Sequence, residues 1–170
     1  MGIEAERGIA EGHSLAFRGR LIAVEVRDTP AGRREVVLHP GAVAVLVRNE
    51  QGQVLLVRQY REGPQAPLWE TPAGLLERGE SPLTAARREL REEVGLTARR
   101  WRYLGTIWPT PGYSTERTYV FLASGLRGTP AARQEVDEVR FFAPSEILDL
   151  ARRGHGDAKT LAALPLLTGG

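Results

Sequence analysis

The sequence predicts an α+β fold, a layered α/β/α sandwich with a mixed sheet between helices. Short Val- and Leu-rich runs recur along most of the chain, one sharply capped helical segment interrupts them, and further helical segments follow the last run. A chain of 170 residues is long enough for one domain with a substantial core plus a small appended element.

The first 40 residues read as an antiparallel meander with strands at 15–18, 21–27 and 33–39, turned at Gly19-Arg20 and at Thr29-Pro30-Ala31-Gly32. These strands hold too few apolar residues for a core of their own. Residues 1–40 are therefore expected to pack on another surface, most plausibly the partner of a two-fold homodimer, and 41–170 to form the main domain. The runs GAVAVLVR and QVLLVRQY, at 41–48 and 53–60, flank the turn Asn49-Glu50-Gln51-Gly52 and have the composition of a hairpin entering a buried sheet.

Ser81 is a good N-cap, Pro82 suits the first helical position, and Gly95 sits where a helix takes a left-handed terminator, which predicts a helix over 82–94. At ~100° per residue, Leu83, Ala86, Leu90 and Val94 form an apolar core stripe, and Glu89, Glu92 and Glu93 a polar one roughly 90–110° away. Later strands are expected at 101–107, 117–123 and 138–142, and helices at 144–153 and 157–164.

Composition narrows the function classes. There are 23 basic and 21 acidic residues, a net charge of +2, and no run of more than two consecutive basic residues, so nucleic-acid binding is not indicated. Without cysteine there is no disulfide, iron–sulfur cluster, thiolate zinc site or cysteine nucleophile. The opening MGIEAERGIAEGHS has no apolar signal core, and no later run approaches the ~20 apolar residues of a membrane span, so a cytoplasmic location is expected. His13, His39 and His155 share no metal-ligand spacing.

The most informative segment is GLLERGESPLTAARRELREEVGL, from Gly74 to Leu96. Three carboxylates on adjacent helical turns repel one another unless a cation sits among them, and hard oxygen donors suit Mg²⁺ or Mn²⁺. The alternative is a solvated acidic face paired with Arg87, Arg88 and Arg91. The spacing decides between them: glycine, five residues, Glu80, seven residues, Arg88-Glu89-Leu90, one residue, Glu92-Glu93, one residue, Gly95-Leu96. It fills every fixed position of the Nudix box, so the chain resembles a Nudix hydrolase.

That resemblance implies a Nudix fold and metal-dependent hydrolysis of a nucleoside diphosphate-X. It also implies that Gly74, Glu80, Arg88 and Gly95 support the box, with Arg88 the partner of Glu80. Glu89 and Glu93, one turn apart, are the expected metal ligands, with Glu92 as an additional one and the Ala73 carbonyl as a backbone ligand. Pro111, fifteen positions after Leu96, and the lead-in Arg58-Gln59-Tyr60-Arg61 and Trp69-Glu70-Thr71-Pro72-Ala73 resemble the ADP-ribose pyrophosphatase subfamily. Together with the meander, they imply ADP-ribose cleaved to AMP and ribose 5-phosphate, the alternative being another nucleoside diphosphate derivative.

Arg61 is the expected pyrophosphate clamp, since a guanidinium fork matches phosphate oxygens, and Arg58 the second choice. In the acidic stretch 134–138, Glu135 is the expected general base on a closing loop, with Asp137 next and Glu92 of the helix the remaining candidate. Trp108, Tyr113 and Tyr119 either stack on a base or belong to the core.

Overall fold

The computed structural model describes residues 12–167, which form two compact units. Residues 1–11 of the expected meander and the last three residues lie outside the described ones.

The first unit holds a three-stranded antiparallel sheet of β1 (His13–Arg18), β2 (Ala23–Thr29) and β3 (Gly32–Leu38), in that order. The second strand starts two residues later than its apolar run suggests. Leu21 and Ile22 belong to the turn, which is closed by a hydrogen bond from Gly19 N to Ile22 O of 2.8 Å. The β2–β3 turn needs Gly32, whose φ of 97° is costly for any side chain. Residues 108–117 group with this unit, tied to β3 by Val37 N→Tyr113 O (2.8 Å) and Thr115 N→Val37 O (2.9 Å).

The second unit is built on a seven-stranded mixed sheet. Its strands are β4 (Ala42–Arg48), β5 (Val54–Arg61), β6 (Ala66–Glu70), β7 (Ala73–Leu75), β8 (Thr97–Ile107), β9 (Thr118–Arg127) and β10 (Glu138–Phe142). The main path runs β10-β5-β4-β9-β8, with β6 on β5 and β7 on β4. Only β4 and β9 pair in parallel; the other ladders are antiparallel. The Asn49 turn forms as expected, with the Asn49 side chain holding both the backbone and side chain of Gln53.

Helices cover both faces of this sheet. On one, α1 (Pro82–Val94) buries Ala85, Ala86, Leu90 and Val94 against Val45, Val47, Leu55, Val57 and Phe121. On the other, α2 (Pro144–Arg152), α3 (Ala158–Ala163) and a 3₁₀ turn (Leu164–Leu167) bring Ile147, Ala163 and Leu164 onto Leu46, Val54, Leu56, Val120 and Leu122. Fully burying a Leu or Val side chain contributes about 1.5–3 kcal/mol, so these two aliphatic clusters supply most of the drive to fold. Continuous burial from Ala42 to Val47 follows from a strand sandwiched between helices. Among the described residues no helix is long and apolar enough to cross a membrane.

Two strands, β6 and β7, are absent from the sequence-based expectation, which took 69–74 only as a lead-in to the box. They are short, carry Pro67 and are separated by Pro72, so they form because β5 and β4 offer open edges rather than from local propensity. The expected strands 101–107 and 117–123 prove longer, and their extensions pair with each other.

Candidate active site

The helix behind the site is defined at both ends by its sequence. The Ser81 hydroxyl accepts the Thr84 N–H at 3.2 Å, and Gly95 closes the helix in the left-handed region at φ 70°, its N–H reaching the Arg91 carbonyl. The expected polar stripe is not solvated throughout. Glu89 and Glu93 are both 7% exposed, whereas Glu92 is partly exposed.

Each of the two buried carboxylates has a specific neighbourhood. Glu93 takes hydrogen bonds from the Gln59 amide and the Ala73 backbone N–H, both at 3.1 Å. Burial nevertheless dominates and pushes its carboxyl up to about 7, so the charged form is costly there without a compensating cation. Glu89 accepts from Arg88 Nη1 at 2.6 Å, and burial again raises its pKa against the pull of that guanidinium.

Gly74 explains itself geometrically. A Cβ there would sit 1.9 Å from Glu89 Oε1, so only glycine leaves room for the carboxylate beside the β4–β7 ladder. Arg88 is the hub of the box. It grips Glu80 through Nε and Nη2 at 3.1 and 3.0 Å, donates to the Leu75 carbonyl at 3.0 Å, and reaches Glu92 at 3.2 Å. The same pairing holds the Glu80 carboxyl below its usual range, and Glu80 in turn accepts the Glu77 N–H. The resemblance assigned Glu80 and Arg88 to loop support, and the two do form a bidentate pair.

These groups fit a divalent cation in their chemistry. Glu89, Glu92 and Glu93 are hard oxygen donors on successive turns, and burial makes the charge of two of them costly unless it is compensated. They are not drawn together as a preformed cage of three among the described residues, because Arg88 holds Glu89 and Glu92 while Gln59 and Ala73 hold Glu93. At Ala73 it is the backbone N–H, where the carbonyl was expected, that contacts the carboxylate of Glu93.

Arg61 donates Nε and Nη2 to Glu70 at 2.6 and 2.7 Å, which raises its pKa and fixes the guanidinium on a carboxylate that is 3% exposed. Two donors of its fork are thus spent on Glu70 rather than left open as the clamp reading expected. The Arg58 side chain is half-buried, and its backbone carbonyl accepts the Asp137 N–H at 2.8 Å.

The loop before β10 is joined to the end of α1, with Ala131 N→Val94 O at 3.1 Å and Arg133 N→Glu93 O at 3.0 Å. Val136 is buried in the core. Glu135, Asp137 and Glu138 are exposed, and the structure brings none of their carboxylates into contact with Glu89 or Glu93. Pro111 belongs to the first unit, where Arg27, Val36, Trp108, Pro111 and Tyr113 line a cavity of about 520 Å³. Trp108 and Tyr113 are more than half exposed, against their reading as core residues, while Tyr119 packs partly buried on the α1 side of the second unit's sheet.

Sequence reasoning missed Gln59, Glu70 and Asp157. Gln59 and Glu70 are polar residues buried at strand ends. Asp157 caps α3 through the Lys159 and Thr160 N–H groups, and burial raises its pKa. A polar side chain inside or just after an apolar run was the available signal.

Comparison with known proteins agrees with this geometry. The NUDIX domain model matches residues 38–164. ADP-ribose pyrophosphatase of Bacillus subtilis (strain 168) is 38% identical over 162 residues, covering 89% of this chain and 87% of that protein. ADP-ribose pyrophosphatase of Mycobacterium tuberculosis (strain ATCC 25618 / H37Rv) is 47% identical over 124 residues, covering 71% of this chain and 59% of its own length. The crystal structure of an ADP compounds hydrolase superposes with a TM-score of 0.71 at 25% identity, covering 91% of this chain and 89% of that one. With its box intact, its buried glutamates in place and this family model spanning most of its length, the chain belongs to the NUDIX family and is a Nudix hydrolase.

Proposed function

We propose that the protein hydrolyses ADP-ribose to AMP and ribose 5-phosphate with Mg²⁺ or Mn²⁺. The carrying observation is the buried pair Glu89 and Glu93, packed beside Gly74 and oriented by Arg88, Gln59 and the Ala73 N–H. The names of the Bacillus and Mycobacterium relatives support this substrate.

In this reading Glu89 and Glu93 hold the cation, with Glu92 and the Ala73 carbonyl as further ligands. When bound, the cation neutralises charge on the phosphoryl oxygens and makes water more acidic. Glu70 holds Arg61 so that its remaining N–H groups serve the pyrophosphate, whereas Arg58 lies three residues away on the same strand, hence on the opposite face, which leaves Arg61 as the clamp. Glu135 accepts the proton of the attacking water. One P–O bond forms to the water oxygen, the bridging P–O bond breaks, and the leaving phosphate carries the charge. The attachment of that loop to the Glu93 carbonyl supports Glu135 as base, with Asp137 and Glu92 as alternatives.

Assembly belongs to the same proposal. Phe17, Leu21 and Ile22 of the first unit are 54%, 48% and 37% exposed, an apolar surface suited to a homodimer interface. Sedimentation should give about twice 18.7 kDa.

The substrate is tested by incubating the enzyme and Mg²⁺ with ADP-ribose, a GDP-sugar, a flavin dinucleotide and a dinucleoside polyphosphate, separating products by chromatography. ADP-ribose should give AMP and ribose 5-phosphate with the highest kcat/KM. Faster turnover of another member of the panel would replace it as substrate, and no turnover of any would overturn the reading.

A further inference from the structure

A second polar groove lies in the second unit, lined by Arg48, Arg99, Arg100, Ser124 and the Asn49–Gly52 turn, with a volume of about 700 Å³. That is within the ~300–1,000 Å³ usual for small-ligand sites. It shares no residue with the carboxylate site.

Sheet register explains how the groove arises. Arg48 follows Leu46 by two positions and Ser124 follows Leu122 by two, so both side chains belong to the face covered by α2 and α3 rather than by α1. The parallel β4–β9 ladder ends at the pair Val47 and Ala123, and Arg48 and Ser124 follow directly on these adjacent strands and line the same groove. Across the β8–β9 ladder Arg100 stands opposite Ser124, with Nε 3.4 Å from the hydroxyl. Three neighbouring strands thus carry the row Arg48, Ser124, Arg100, and at ~4.8 Å per strand the two arginines flank the serine at a separation of ~10 Å.

Among the described residues no ion pair neutralises this row. No carboxylate lies within ion-pair distance of Arg48, Arg99 or Arg100 among the described residues, and Glu50 is the one acid lining the groove. Arginines on β8 alone would be explained as protection of an edge strand against pairing. That account does not reach Arg48 or Ser124, which stand on the interior strands β4 and β9.

We propose that this groove binds the phosphate group of a small anion, with Arg48 and Arg100 as charged donors from either side and the Ser124 hydroxyl between them. The ligand class is inorganic phosphate or a phosphomonoester, and the site is independent of the hydrolytic centre.

The test is calorimetric titration of the full chain with inorganic phosphate, and separately with ribose 5-phosphate, in EDTA so that cation-dependent binding is silent. Saturable binding of one equivalent is expected at physiological salt, where surface charge beyond ~8 Å is screened. The Arg48→Gln/Arg100→Gln variant should bind at least about tenfold more weakly, as loss of charge-assisted hydrogen bonds predicts. Arg102→Gln, an edge arginine outside the groove, should change affinity by no more than about twofold. Binding by ribose 5-phosphate alone assigns the site to phosphomonoesters, and binding of both assigns it to the phosphate group itself. Absence of saturation, an equal loss in Arg102→Gln, or binding of a single-stranded oligonucleotide with both small anions silent would overturn the proposal. If the double variant melts early, Arg48→Gln and Ser124→Ala singly make the same comparison, and full affinity in both rejects the site.

Discussion

Two acidic regions of this chain look alike in sequence and differ in structure. The box glutamates Glu89 and Glu93 are buried and each is oriented by specific donors, Glu89 by the neighbouring Arg88 and Glu93 by Gln59 and the Ala73 N–H from other strands. In the stretch before β10, Glu135, Asp137 and Glu138 stand in solvent, and only backbone bonds and buried Val136 hold their segment. Burying a carboxylate costs several kcal/mol unless something compensates it, so a fold that spends this energy twice on adjacent turns has a use for the charge. An exposed carboxylate costs nothing and by itself says nothing, which is why the helix and not the loop identifies the centre.

The largest effect should follow loss of charge in the buried region. Glu93→Gln keeps size and helix propensity but should lower turnover by 10²-fold or more, about 3 kcal/mol of transition-state stabilisation, with little change in the Tm of the metal-free protein. Normal turnover would reduce Glu93 to a buried structural residue. The loop is tested by Glu135→Gln, expected to cost ~10²-fold in turnover across the pH range, the lower end of what general-base catalysis contributes. If Glu135→Gln is near normal while Asp137→Asn or Glu92→Gln is not, the base lies elsewhere.

A smaller effect separates geometry from charge. In Gly74→Ala the new Cβ must displace the Glu89 carboxylate, and a misplacement of that order costs roughly 10–10²-fold in turnover. Recovery of activity in this variant at high Mn²⁺ would show that the displaced ligand, rather than a misfolded box, is at fault; no recovery and an early melt would show the reverse.

The smallest effect concerns Asp157, which is half-buried and serves as a helix cap. Burial first, and then the nearby Glu70 charge, raise its pKa above the ordinary aspartate value. The folded state therefore binds the proton more tightly, and its contribution to stability is lost as pH rises from the ordinary aspartate range through the raised pKa. Asp157→Asn removes that dependence. Its Tm should gain on the wild type between pH 4 and 7, by about 2–4 °C, the size of a modest stability change in a domain of this length. A constant Tm difference across that range would contradict the assignment.

How far the sequence revealed this arrangement depended on the range of the interaction. The bounds of α1 coincide with the prediction because Ser81, Pro82 and Gly95 act locally through capping and backbone conformation. The pairing of Glu80 with Arg88 was reachable from the box spacing and its family resemblance. Gln59 and Glu70 escaped notice because their roles depend on Glu93, 34 positions away for Gln59, and on Arg61 across a strand pair. The strand β6, which carries Glu70, forms by pairing with β5 and by a bridge from Trp69 to Gly156. The row Arg48, Ser124 and Arg100 is likewise invisible until register is known.

The central claim is that the buried pair, and not the exposed loop, holds the cation. It is tested most directly by titrating Mn²⁺ into the wild type, Glu89→Gln, Glu93→Gln and Glu135→Gln, and reading bound metal by electron paramagnetic resonance in the absence of substrate. The two box variants should bind at least about tenfold more weakly, the loss expected when a charged ligand is removed, while Glu135→Gln should match the wild type. Equal affinity in all four proteins, or weakening confined to Glu135→Gln, would contradict it.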